Sequence, residues 1–150
     1  MATIDIEIMQ ADVYEEVGKA TDYTGTKMAD ADATARDRVL ATDDDLSSLT
    51  RFWDESVAAA EDRLKEMLES SKNEDGAWKA TLNVSLAFDT NLTASVQKCV
   101  REFFVCSIVG QWFKIANKDE AADYLTQAGD VLNSAERLLY SRKKPTRPTA

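Results

Sequence analysis

The chain has 150 residues, 44% hydrophobic and 30% charged, enough for one domain with one core and too little for two. Five glycines and two prolines supply few tight turns, which argues against a β-sandwich or barrel and predicts a mostly helical chain. The absence of histidine removes His-based acid/base catalysis, nucleophile–His dyads and most zinc and haem chemistry, and a net charge of −9 argues against generic coating of nucleic acid.

Ile4, Ile6 and Ile8 alternate with Asp5 and Glu7, the period of a half-buried strand. Asp12 is placed to cap a helix that runs to about Ala20, with Val13, Val17 and Ala20 on one side, and that stops near Tyr23-Thr24-Gly25. Residues 26–42 read as partly helical through Met28, Ala31, Ala35 and Val39. From Thr42 to about Ser71 the residues Leu46, Leu49, Trp53, Val57, Ala60, Leu64 and Met67 recur at steps of three and four, predicting a long amphipathic helix. Asp43, Asp44 and Asp45 would lie in its first turn, where carboxylates meet the positive end of the helix dipole, and capping explains them better than a metal site does.

Asn73-Glu74-Asp75-Gly76 is a turn signal. Beyond it Trp78, Ala80, Leu82, Val84, Leu86 and Phe88 alternate with Lys79, Thr81, Asn83, Ser85 and Ala87, the clearest strand pattern in the chain. Eleven residues at ~3.3 Å each would span roughly 36 Å, about twice a usual strand. Its one visible partner, the N-terminal strand, is about half that length. The surplus predicts either pairing with another chain, through Trp78, Leu82, Val84, Leu86 and Phe88, or a hairpin partner that the pattern hides.

Thr90-Asn91 opens a further helix carrying Leu92, Val96, Val100, Phe103, Phe104, Ile108, Trp112 and Ile115. Around Phe103–Val109 apolar residues cover nearly every face, so this helix is expected to be central, with Gly110 permitting close helix packing. Asn117 and Glu120 form a capping-box-like pair before a last helix with the stripe Tyr124, Leu125, Ala128, Leu132, Ala135 and Leu139. The short joint makes the two helices antiparallel. Trp53, Leu64, Val100, Phe103, Ile108, Trp112, Leu125 and Leu132 are expected to share one core.

The fold class is therefore mainly α: a bundle of about four to five helices with a small β element, one domain over residues 1–140 and an extended tail over 141–150. The tail holds Arg142, Lys143, Lys144 and Arg147 with both prolines. It reads as a solvated terminus, a phosphate contact or an arm for an acidic protein groove. Charge is divided along the sequence, net −12 over residues 1–76 and net +3 over 77–150.

Cys99 and Cys106 lie on one helix about 10 Å apart by helical rise, too far for a disulfide, and are expected to be buried thiols in a reducing compartment. Neither a basic leader with a long apolar run nor a window of ~18 apolar residues appears, so the reading expects a soluble intracellular protein without a membrane partner. The calcium-loop-like start Asp30-Ala31-Asp32 has Ala35 where glycine is needed and Ala41 where glutamate is needed. No phosphate loop, Cys-x-x-Cys or nucleophile elbow occurs. No catalytic, cofactor-binding or metal-binding residue is assigned, and an enzyme is not expected.

The order of elements resembles the small head-to-tail connector proteins (adaptor or head-completion proteins) of tailed bacteriophages and prophages. The similar stretch runs from about Arg38 to Pro148. It takes in Asp43-Asp44-Asp45-Leu46, Phe52-Trp53-Asp54-Glu55-Ser56-Val57 with Ala60 and Leu64, a β insertion, Ile108-Val109-Gly110-Gln111-Trp112-Phe113, and the closing helix through Leu138-Leu139. The N-terminal and 78–88 strands exceed the family's minimal helical core. The resemblance implies a structural virion component, assembled in the host cytoplasm and then resident in the neck. It implies a dodecameric homo-oligomeric ring beneath the portal that contacts portal and tail or neck proteins and lets DNA pass without sequence-specific binding. Arg142, Lys143, Lys144 and Arg147 would be the portal-docking arm. The alternative is a small cytosolic regulatory or interaction module, dimeric through the 78–88 strand.

Overall fold

The computed structural model describes residues 2–28, 46–116 and 118–142. Strand β1 (Ala2–Met9) forms where the isoleucine alternation predicts it, with Ile4, Ile6 and Ile8 buried and the residues between them exposed. It leads directly into α1 (Gln10–Met28), whose first backbone N–H donates to Gly76 O at 2.9 Å. The helix thus starts two residues before Asp12 and continues through Gly25. A single glycine costs about 1 kcal/mol in a helix interior and does not by itself end one. Val13 and Val17 are fully buried on its inner side.

Helix α2 (Leu46–Arg63) carries Leu49, Phe52, Trp53, Val57 and Ala60 inward. The predicted helix to Ser71 is corrected here: the chain turns at residues 64–67 and enters strand β2 (Leu68–Glu74). Leu64 and Met67 remain buried, so they keep the apolar period although the helix has ended. Asp75 (φ 55°) and Gly76 (φ 72°) then form the two-residue turn with two positive φ values that matches the twist of a hairpin. Asp75-Gly76 is the dipeptide such a turn favours.

Strand β3 (Ala77–Val84) is the middle of a three-stranded antiparallel sheet, order β1-β3-β2. Ile4, Ile6 and Ile8 stand opposite Leu82, Ala80 and Trp78 on one side, and Ser71, Lys72 and Asn73 stand opposite Ala80, Lys79 and Trp78 on the other. The strand has eight residues rather than eleven. Ser85 ends it: its side chain accepts from Ala87 N at 3.1 Å and its carbonyl accepts from Phe88 N at 2.9 Å. Phe88 comes back into the core by this turn, while Leu86 points outward.

A 3-10 turn (Thr90–Leu92), capped by Asp89 through Asn91 N, leads into α3 (Thr93–Ala116), and α4 (Lys118–Leu139) returns along it. The cap therefore lies one residue before the Thr90-Asn91 expected. The residues from Phe103 to Gly110 of α3 are all buried, because α3 touches α1, α2, α4 and β1 at once. Gly110 allows the α3–α4 approach: a Cβ there would lie 2.7 Å from Leu125 Cγ and Cδ2. Leu125 itself is half-buried, and the other seven residues expected in the shared core are buried. The calls on Asp43–Asp45, Asn117 and most of segment 26–42 fall outside the described residues.

The aromatic centre joins all layers. Phe104 of α3 stacks on Trp53 of α2 (4.7 Å, 29°) and lies against Trp78 of β3 (5.6 Å). All three tryptophans are core residues, none more than 9% exposed. Phe104→Ala should leave a cavity among these rings and cost about 3–5 kcal/mol, measured by denaturant unfolding. A loss under about 1 kcal/mol would contradict this packing.

Candidate interaction surface

The five residues expected to form a subunit interface do not form one surface. Trp78, Leu82, Val84 and Phe88 are buried in the chain's own core, and only Leu86, 81% exposed, faces solvent. Both edges of their strand are filled within the chain, by β1 and β2. The expected β-addition at 78–88 is thereby corrected: the surplus length was a misread turn, and the missing partner is β2.

Sequence periodicity missed β2 because its inner face is polar. Ser71 Oγ donates to Glu61 Oε1 at 2.7 Å, and Asn73 Oδ1 accepts from Trp53 Nε1 at 2.8 Å. Glu61 Oε1 also accepts from Trp78 Nε1 at 3.1 Å. The two indole N–H groups thus find partners on α2 and β2 as the rings go into the core.

The outer edges of the sheet are guarded in different ways. On β1, Glu7 N–H donates to Gln97 Oε1 of α3 at 3.0 Å, a side-chain amide standing where a further strand's carbonyl would stand. On β2 the register shifts between Leu68 and Ser70, and Glu69, Lys72 and Glu74 are exposed. Bulges and edge charges oppose pairing with another chain. The solvent face of the sheet is polar, with Thr81 Oγ1 donating to Asp5 Oδ1 at 2.7 Å and Lys79 lying between Glu7 and Lys72 in register.

Exposed apolar side chains concentrate elsewhere. Leu86, after β3, and Tyr140, at the end of α4, are 81% and 58% exposed and flank a groove of about 550 Å³. Met67, Val84 and Leu139 line it, with Glu66 and Arg142. Of the predicted docking arm, Arg142 sits at this groove; Lys143, Lys144 and Arg147 lie outside the described residues.

Among the described residues no cluster of three His, Cys, Asp or Glu side chains is placed to hold a metal ion, and no helix is long and apolar enough to cross a membrane. The buried hydroxyl pair Ser56–Ser107 (2.8 Å), with Gln111 donating to Ser107 Oγ at 3.1 Å, is a satisfied polar contact between α2 and α3. Compared with protein-family models, curated proteins and solved structures, the chain matches none.

Both cysteines are free thiols, Cys99 half-buried and Cys106 buried. Burial pushes the Cys106 thiol up to about 11, with Glu102 adding to the shift. Since Cys99 is the more accessible of the two, one thiol per folded chain should react promptly with a disulfide reagent and Cys106 only on unfolding. Because the folded thiol is the weaker acid, its contribution to stability is intact below the ordinary thiol range and is lost as pH rises towards 11. Equal labelling of both cysteines in the folded chain would contradict the burial of Cys106.

Proposed function

We propose that this chain is a structural subunit of a head-to-tail connector, assembling as a ring beneath a portal and extending a channel for DNA. The observation that carries the reading is the order of elements: α2, a β-hairpin, the apolar central helix α3 and the closing helix α4, the succession on which the resemblance rests. The excess of 27 acidic over 18 basic residues suits a wall that DNA slides past without adhering. In this reading the subunits gather in the host cytoplasm, meet the portal and the tail or neck proteins, and remain in the virion neck. The basic residues Arg142, Lys143, Lys144 and Arg147 serve as the arm towards the portal.

The alternative dimeric regulator depended on strand 78–88 as its interface, and the pairing of β3 on both sides removes that basis. Ring contacts of a connector must likewise use other surfaces.

Mixing the full chain with a purified portal ring and imaging negatively stained particles tests the reading. An added ring of density coaxial with the portal is expected; no portal binding at any concentration would refute it. Deleting residues 143–150 should weaken portal attachment while shifting the melting temperature by no more than a degree or two. The segment contains no large apolar residue to bury. A truncated chain that melts many degrees lower would contradict the arm.

A further inference from the structure

Asp75-Gly76 is the one Asp-Gly pair in the sequence. It forms the tip of the β2–β3 hairpin, with both residues exposed and both at positive φ. Two groups at this tip have no partner among the described residues: the Asp75 carboxylate takes part in no hydrogen bond or ion pair, and the Gly76 N–H donates to no acceptor. They are neighbours along the backbone. The turn is tied to the rest of the molecule at the Gly76 carbonyl, which accepts from the first N–H of α1, that of Gln10, at 2.9 Å. Gln10 also donates through its side chain to Tyr14 Oη at 2.8 Å.

We infer that Asp75-Gly76 is a site of spontaneous succinimide formation and isoaspartate conversion, and that the Gln10–Gly76 hydrogen bond restrains it. The Gly76 backbone nitrogen attacks the side-chain carboxyl carbon of Asp75 in its protonated form. A C–N bond forms, the C–OH bond breaks, and the hydroxyl leaves with the amide proton as water. Glycine is the residue that hinders this approach least, having no Cβ. Water then returns to one of the two imide carbonyls. Opening at the side-chain carbonyl restores Asp75, whereas opening at the main-chain carbonyl leaves the chain running through the former side chain, as isoaspartate. Ring closure requires rotation about the Asp75 Cα–C bond, which swings Gly76, and the bond from Gln10 holds Gly76 in place. The product carries one more methylene in its main chain. A two-residue turn has no room for it while Glu74 stays opposite Ala77. Strand β2, pinned to α2 by the hydrogen bonds of Ser71 and Asn73, is the element that yields.

The folded chain is incubated in warm, mildly acidic buffer, its isoaspartate is labelled with an isoaspartyl methyltransferase, and the position is read by peptide mapping. Residue 75 should convert several-fold faster than any other Asp or Asn of the chain, and Asp75→Glu, which would need a six-membered ring, should remove the signal from the turn. Conversion at residue 75 no faster than elsewhere would overturn the site. Two variants isolate the restraint. Gln10→Ala loses the bond to Tyr14 and keeps the backbone N–H, while Gln10→Pro loses both, at the first helical position where proline is accommodated. Gln10→Pro should convert several-fold faster than Gln10→Ala, and the wild-type chain unfolded in urea should convert faster than the folded one. Equal rates in these comparisons would overturn the restraint. In the converted fraction amide exchange should quicken over residues 68–74 and stay unchanged over 100–110; unchanged exchange over 68–74 would contradict the loosening of β2.

Discussion

Helix α3 has to be kept from water on all sides at once, and the remaining elements are arranged by that demand. From Phe103 to Gly110 each residue is buried, and each large apolar side chain so covered is worth about 1.5–3 kcal/mol relative to exposure. No single neighbour can cover a full helix circumference. The chain answers with α4 along one face, α1 and α2 along others, and the sheet closing the remainder. Phe104, between Trp53 and Trp78, is where helix, helix and sheet meet.

The polar contacts follow from this burial. Indole rings go inward only if their N–H groups are paired, and Glu61 and Asn73 provide the acceptors. The same two residues fix β2: Asn73 Nδ2 donates to Asp54 at 3.0 Å, and Ser71 holds Glu61. A strand whose inner face is polar beyond Leu68 is thereby held by hydrogen bonds to α2 and by the hairpin. At the far side Arg63 ties the end of α2 to Glu136 and Asn133 of α4. That pair is partly exposed, so it orients the two helices and adds at most about 1 kcal/mol.

Elements with an apolar period were legible: β1 from its isoleucines, α3 and α4 from their stripes; so were a turn at Asn73-Glu74-Asp75-Gly76, though not that it closes a hairpin, and the close helix packing from Gly110. What hid was polar or accidental. The stretch Leu68–Glu74 shows no alternation because its inner face makes hydrogen bonds instead of burying hydrocarbon. Leu64 and Met67 stayed in phase with a helix that had already stopped. Leu86 and Phe88 continued the alternation of β3 by chance of spacing, though Ser85 had turned the chain. One misread turn lengthened the strand, while its need for a second partner was real and is met within the chain by β2. Of the five residues assigned to an interface, Leu86 alone lies on the surface, for a reason other than the one that picked it out.

Strand β3 is satisfied inside one chain, paired on both sides and sealed against α3 through Trp78 and Phe104. Amide hydrogen exchange of the dilute chain, read by mass spectrometry on peptides spanning 77–84 and 100–110, tests it directly. If the claim holds, these two segments are the slowest to exchange, and their protection does not change with protein concentration. Fast exchange across 77–84 in dilute solution, slowing as concentration rises, would mean that the strand is completed only by a neighbour and would contradict the account.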